Sequence, residues 1–331
     1  DYSFIYGGKS VSSFQDAGTY SGISVSILND NFKIKSTGNT DGSFTIAKKT
    51  LNVSGLEIES KTYDGTNKAT VSITNSGTLN GILSKNNIQD DVSFTTDATF
   101  NSKDVQNTKT VNLDYTLTGE KAGNYTLSDV TNVSTDAKIN KAKLTVTATD
   151  DSKIYNKIAY TRNNGVTYNG LVNNEAATVL GGALSYGGTS QNAVNAGTYT
   201  ITASGLTSGN YDISFVEGKL TITKKDINIL GLTGVDKTYD GTTTASLTGT
   251  ATLDSSSIVS GDSSDVSVDL SGLVGNFANK NVENNKAINI SGITISGAKA
   301  GNYNVGAVTG LTANITKADL TVSGLTASNK V

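Results

Sequence analysis

Ile139-Asn140-Lys141-Ala142-Lys143-Leu144-Thr145-Val146 opens on an Ile-x-Lys seam and runs into a stretch where Leu144 and Val146 alternate with polar residues. A period of two sends apolar side chains to one face and polar ones to the other, as in a half-buried antiparallel strand. The seam returns at Ile46-Ala47-Lys48, Ile222-Thr223-Lys224 and Ile315-Thr316-Lys317, so its lysines are spaced 93, 83 and 93 residues apart. Two repeat types therefore alternate. The same alternation marks Ile23, Val25 and Ile27; Leu113, Tyr115 and Leu117; Val266, Val268 and Leu270; and Ile288 with Ile290. Runs stop at pairs such as Asp41-Gly42 and Gly181-Gly182, which supply the positive φ that hairpin turns need. No helical period persists.

Units of 83 to 93 residues with many short strands predict an all-β chain of tandem immunoglobulin-like β-sandwich modules in a linear array, each burying its own core. A β-solenoid would repeat every 20 to 30 residues or so, and no such short period is visible. The spacing predicts a partial module at 1–47, modules at 48–140, 141–223 and 224–316, and the start of another at 317–331. Both ends fall inside a repeat, which gives the expectation of a longer natural chain.

The longer units carry Lys61-Thr62-Tyr63-Asp64-Gly65-Thr66 and, 176 residues on, Lys237-Thr238-Tyr239-Asp240-Gly241-Thr242. Each also ends in Lys-Ala-Gly-Asn-Tyr, closing at Tyr125 and Tyr303. Tyr-Asp-Gly reads as a strand end feeding a turn: Asp caps the backbone two residues on, and Gly takes a conformation other residues avoid. Tyr63 and Tyr239 are expected to cover the end of a core with the hydroxyl at a polar rim. The functional alternative is a ligand-binding Tyr/Asp pair, against which stands its identical recurrence at every second module. The shorter unit has Asn195-Ala196-Gly197-Thr198-Tyr199, echoed by Asp16-Ala17-Gly18-Thr19-Tyr20; both resemble the tyrosine corner of immunoglobulin-like sandwiches, with Tyr20 and Tyr199 as the corner residues.

On the motif at 61–66 and 237–242, the seam and the alternation, the chain resembles the YDG repeat, and its shorter units resemble the MBG repeats that alternate with it in large bacterial surface and secreted adhesins. The resemblance implies β-sandwich stalk modules of filamentous-haemagglutinin-like exoproteins and brings no catalytic residues. The middle unit departs from it, with Lys153-Ile154-Tyr155-Asn156-Lys157 in the Tyr-Asp-Gly position.

Composition narrows the chemistry. The 331 residues include no His, Cys, Met, Trp or Pro, where average usage predicts about 17 prolines. Without His or Cys there is no side chain with an ordinary pKa near neutrality, no thiol nucleophile and neither of the commonest metal ligands. Lys and Arg number 26 against 29 Asp and Glu, a net charge of −3, which offers no footprint for nucleic acid or an anionic leaflet. No run is long and apolar enough to span a membrane. Lack of cysteine suits a large bacterial exoprotein that crosses an oxidising periplasm unfolded.

Other candidates carry less. Gly7-Gly8-Lys9-Ser10 resembles the end of a P-loop but lacks the first glycine and the helix. Asp90-Asp91 and Asp150-Asp151 point to opposite faces if they lie on strands, which favours solvated turns over an acid–base pair. Asp150, Asp151, Asp262 and Asp265 are weak calcium candidates without the regular spacing of a loop site. A Lys–Asn cross-link inside a sandwich would need a buried carboxylate beside it, and none stands out. The reading is thus a non-catalytic, cofactor-free segment forming the semi-rigid extracellular stalk of a bacterial adhesin. Its expected partners are neighbouring modules of the same chain and, in a filament, other copies. A self-assembling filament or surface layer and a carbohydrate-binding module remain the alternatives, the latter weakened by the lack of Trp.

Overall fold

The computed structural model describes residues 2–34, 38–107, 109–128 and 132–330. Strands dominate, and the helical elements among the described residues are three single 3₁₀ turns, Ala122–Asn124, Ala177–Val179 and Ala300–Asn302. The strands form discrete sheets of two to five members, most of them antiparallel, and not the stacked rungs of a solenoid. The period-two pattern becomes burial directly: along Ala142–Ala148 alternate residues are buried.

The chain divides into two compact units. The first comprises residues 1–144, 169–181 and 207–213. It holds a four-stranded sheet in the order Lys9–Val11, Tyr2–Tyr6, Gly18–Ile27, Gly42–Ile46, with Gly42–Ile46 at the edge. Phe14 sits against this sheet, its ring 4.5 Å from that of Tyr20 and 5.0 Å from that of Phe44. A second sheet runs Tyr125–Leu127, Lys49–Ile58, Val71–Asn80, and a third Ser93–Phe100, Lys109–Thr118, Asn132–Thr135.

The second unit comprises residues 145–168, 182–206 and 214–331. One apolar cluster there joins Ala148, Tyr155, Tyr160, Ile201, Leu220 and Ile222 to Ile227, Val266 and Tyr303. It therefore passes through the seam at Ile222–Lys224, a departure from the expectation of one core per repeat. The cause is that Tyr155 and Tyr303, on facing ends of successive repeats, cover each other. A smaller cluster gathers Ala245, Phe277, Ile288, Ala313 and Ile315.

One pairing recurs three times. The lysine of each Lys-x-Tyr lies in a parallel pair opposite a seam isoleucine: Lys61 with Ile139, Lys153 with Ile222, Lys237 with Ile315. The ladder continues one step, as the amides of Tyr63, Tyr155 and Tyr239 donate to the carbonyls of Asn140, Thr223 and Thr316 at 2.8 to 2.9 Å. Each repeat thus closes by bringing its opening motif beside its closing seam, and the tyrosine is delivered to the end of the repeat.

Candidate functional site

The Lys-Thr-Tyr-Asp-Gly-Thr turn is organised by its lysine. Lys61 Nζ donates to Asp64 Oδ1 (2.8 Å), Thr66 O (2.9 Å) and Lys68 O (2.8 Å). Asp64 Oδ1 in turn accepts the Thr66 amide and hydroxyl, both at 2.9 Å. The second copy repeats the arrangement: Lys237 reaches Asp240 Oδ1, Thr242 O and Thr244 O, each at 2.9 Å. The ammonium also lies over a core ring, 5.9 Å from Phe100 in one copy and 5.7 Å from Phe277 in the other. Burial opposes charge on Asp64, but Lys61 and Thr66 hold its pKa below the usual carboxylate range. The hydrogen bond from Lys237, with those from Thr242, brings Asp240 down to about 2. In the middle repeat Asn156 Oδ1 accepts the Ile158 amide (3.1 Å) and Lys153 donates to the Ile158 carbonyl, so an amide replaces the carboxylate in the same turn. The aspartate of the motif thus serves its own loop and does not pair with the tyrosine.

The tyrosine points the other way, into the next repeat. Tyr63 is 2 % exposed, and its hydroxyl donates to Glu175 Oε1 at 2.6 Å. Glu175 Oε2 accepts Tyr211 at 2.7 Å, and Lys103 completes the cluster at 3.0 Å. The second occurrence uses Tyr155, 1 % exposed, which donates to Asp262 Oδ2 at 2.7 Å. Tyr303 donates to the same oxygen at 2.9 Å, and Lys157 pairs with Oδ1 at 2.9 Å. In both joints the rings meet edge to face with centroids 5.4 Å apart, at 80° for Tyr63 and Tyr211 and 77° for Tyr155 and Tyr303. Tyr211 and Tyr303 also accept the backbone amides of Val172 and Val259 at 3.1 Å, which uses both hydrogen-bonding capacities of each hydroxyl.

The asparagine before each receiving tyrosine forms a second link. Asn124 Oδ1 accepts the Ala17 amide (2.6 Å) and its Nδ2 donates to Asp16 Oδ1 (2.8 Å). Asn210 does the same with the Val105 amide (2.9 Å) and Asp104 Oδ1 (2.9 Å), and Asn302 with the Ala196 amide (2.7 Å) and Asn195 Oδ1 (3.2 Å). One side chain satisfies a backbone donor and a side-chain acceptor of the preceding repeat at once. Ala122–Asn124 and Ala300–Asn302 are 3₁₀ turns, so in the longer repeats a local turn aims the clamp.

The electrostatics suit a joint and not a reaction. Burial works against charge on Glu175 and Asp262, yet the tyrosine hydroxyls and lysine ammonium groups around them hold both below the ordinary carboxylate range. Burial, with the adjacent carboxylates, pushes Tyr211 and Tyr303 up to about 12 and Tyr155 further. An acid made weaker and a base made weaker than usual are both far from the neutral pKa that proton transfer at pH 7 requires. Each carboxylate is taken up by two tyrosine hydroxyls and one lysine ammonium group.

The remaining sequence candidates separate. Tyr239 is 38 % exposed, and the space around Gly241 is open, whereas a Cβ on Gly65 would stand 2.7 Å from Asn173 Cβ. Tyr125 is buried and donates to Asp90. Tyr20 and Tyr199 donate to the carbonyls four residues back, Asp16 at 2.7 Å and Asn195 at 2.8 Å. Asp150 accepts the Lys219 amide, Asp151 takes Tyr160 and Arg162, and the Asp265 carbonyl accepts the Lys299 amide. Among the described residues no three Asp or Glu side chains come together as metal ligands. Lys286 is buried with Asn279 Oδ1 at 2.5 Å, but its carboxylate neighbour Glu283 is exposed, so the geometry is a loop closure and lacks the buried carboxylate a cross-link requires. Sequence reasoning missed Glu175, Lys103 and Lys157 and gave the Asn of Asn-Tyr no role. The recurrence of Asn-Tyr at 124–125, 210–211 and 302–303 was the available signal.

The YDG domain matches residues 47–132 and 223–313, and the MBG domain (YGX type) matches residues 144–221. No curated protein matches the chain.

Proposed function

The chain belongs to the YDG-domain family, its two YDG copies flanking an MBG domain, and on that footing we propose that this non-catalytic all-β repeat is a semi-rigid spacer in the stalk of a large bacterial surface or secreted adhesin. The observation that carries the reading is the joint: a tyrosine from one repeat and a tyrosine from the next share one carboxylate, at Glu175 and again at Asp262. A linker of Gly and Ser would leave successive repeats free to reorient. Two buried rings, a shared anion and an asparagine clamp instead oppose bending, because any tilt strands a desolvated charge. Among the described residues no helix is long and apolar enough to cross a membrane. Exposed Thr, Ser and Asn keep such a surface hydrated at small net charge, and edge-strand lysines discourage sheet-edge pairing.

Small-angle scattering tests it. A 331-residue compact domain would have a radius of gyration of about 20 Å. A stalk segment gives a value well above that, which spreads to a broader distribution when Glu175 and Asp262 are both replaced by Ala. A radius near the compact value would end the spacer reading.

A further inference from the structure

We propose that the cavity beside the Lys153 turn of the middle repeat is a binding site for a sugar acid, whose carboxylate takes the place that the motif aspartate holds in the two YDG turns. The inference goes beyond the spacer reading and does not depend on the joints.

Three turns share one lysine position and differ in what neutralises it. Lys61 and Lys237 each have a carboxylate beside them, Asp64 at 2.8 Å and Asp240 at 2.9 Å. Lys153 has Asn156 at the matching position, and Asn156 Oδ1 is taken by the Ile158 amide at 3.1 Å. Among the described residues the Lys153 ammonium pairs with no carboxylate and donates to the Ile158 carbonyl. An ammonium has three donors, so two are left for an incoming group. Burial and the nearby Arg162 charge push the Lys153 pKa below the usual lysine range.

Arg162 is a second cation at the same place. Its Nη2 donates to Asp151 Oδ2 at 3.0 Å and to Oδ1 at 3.3 Å, which leaves Nε and Nη1 outside that pair. Lys157 is already balanced by Asp262 at 2.9 Å. Lys153 and Arg162 against Asp151 therefore leave one positive charge, which matches a single carboxylate better than a doubly charged phosphate.

Both cations line a cavity of about 280 Å³, together with Asn156, Ile158, Ala159 and Thr161 among others. Ordinary ligand pockets run to about 300–1,000 Å³, so this one suits a single sugar ring and not a peptide segment. Ile158 and Ala159 give such a ring an apolar wall, and the Thr161 hydroxyl and Asn156 amide can serve its hydroxyls. A carboxylate on the ring would accept charge-assisted hydrogen bonds from Lys153 and from the planar Arg162 guanidinium.

The test titrates the isotope-labelled full chain with sodium D-glucuronate at fixed ionic strength and follows amide chemical shifts. Shifts at Asn156, Ile158, Thr161 and Arg162 should saturate with a Kd of about 1–10 mM, and acetate should bind about threefold more weakly or worse. Glucose, which lacks the carboxylate, should leave those amides unmoved. Asn156→Asp installs the carboxylate of the YDG turns, so the chain should keep its fold and lose affinity about tenfold or more. Arg162→Gln, at an exposed side chain, should weaken binding about tenfold and keeps the test valid if Asn156→Asp misfolds. No saturation by about 100 mM, or acetate binding as tightly as glucuronate, overturns the proposal. So does tighter binding of a blocked aspartate peptide, or full affinity in either folded variant.

Discussion

Tyr155 and Tyr303 lie in successive repeats and place both hydroxyls on Oδ2 of Asp262, at 2.7 and 2.9 Å, with their rings edge to face. The same relation holds between Tyr63 and Tyr211, except that Glu175, one methylene longer, gives each hydroxyl its own oxygen. The side chain differs and the joint persists, so what the repeats have in common is the grouping of two phenols, an anion and a cation.

Tyr155→Phe removes one hydrogen bond to a buried anion and leaves the ring packing in place. It should cost about 1.5–3 kcal/mol, whereas Tyr239→Phe, at an exposed position, should stay within about 0.5 kcal/mol. Chemical denaturation of the two variants side by side measures the difference.

Gly65 and Gly241 have nearly the same backbone, with φ of +77° and +80°, but only Gly65 has a neighbour in the way. Gly241→Ala should therefore cost only the left-handed backbone penalty, about 1 kcal/mol. Gly65→Ala adds a collision with Asn173 and should be clearly worse. Equal losses in thermal unfolding would mean that Gly65 is not packed against the next repeat.

The pH profile should be flat through neutrality and fall on both sides. Glu175 and Asp262 are held below the ordinary carboxylate range, so the unfolded chain binds their protons more tightly. Their contribution is complete above about pH 4.5 and is lost as pH falls through the lowered folded values. Tyr211 and Tyr303 are raised to about 12, so the folded chain holds those protons longer. That contribution is complete below about pH 10 and is lost as pH rises through the folded values. Thermal midpoints across pH measure this; an inflection near pH 6 to 7 would contradict it, as the chain has no histidine.

Asn210→Ala removes the acceptor of the Val105 amide and the donor to Asp104. Hydrogen exchange should quicken at the Val105 amide by tenfold or more while amides within Gly218–Thr223 keep their protection. Unchanged exchange at Val105 would show that the clamp is not formed in solution.

Much of the fold could be read from the chain because the signals were local. Alternation along Ala142–Ala148 has its effect within one strand, and the Asp64 and Asp240 turns close on atoms two or three residues away. The spacing of seam and motif also fixed which repeats correspond. The joints were not visible in this way: Glu175 is a lone acid between Asn174 and Ala176, and nothing beside it in the chain distinguishes it from a solvated turn residue. Its partners Tyr63 and Tyr211 come from distant parts of the chain.

The sequence by itself determined that this protein is a β-strand chain of two alternating repeat types with Asp-Gly turns, since periodicity and turn chemistry act over a few bonds. Only the tertiary structure decided that Tyr63 and Tyr155 reach into the following repeat and are covered there, and that Asp90 stands beside a cavity. The reason is that a buried charge is tolerable only where donors converge on it from separate segments. Which segments meet is settled by packing, and no single stretch of chain contains that information.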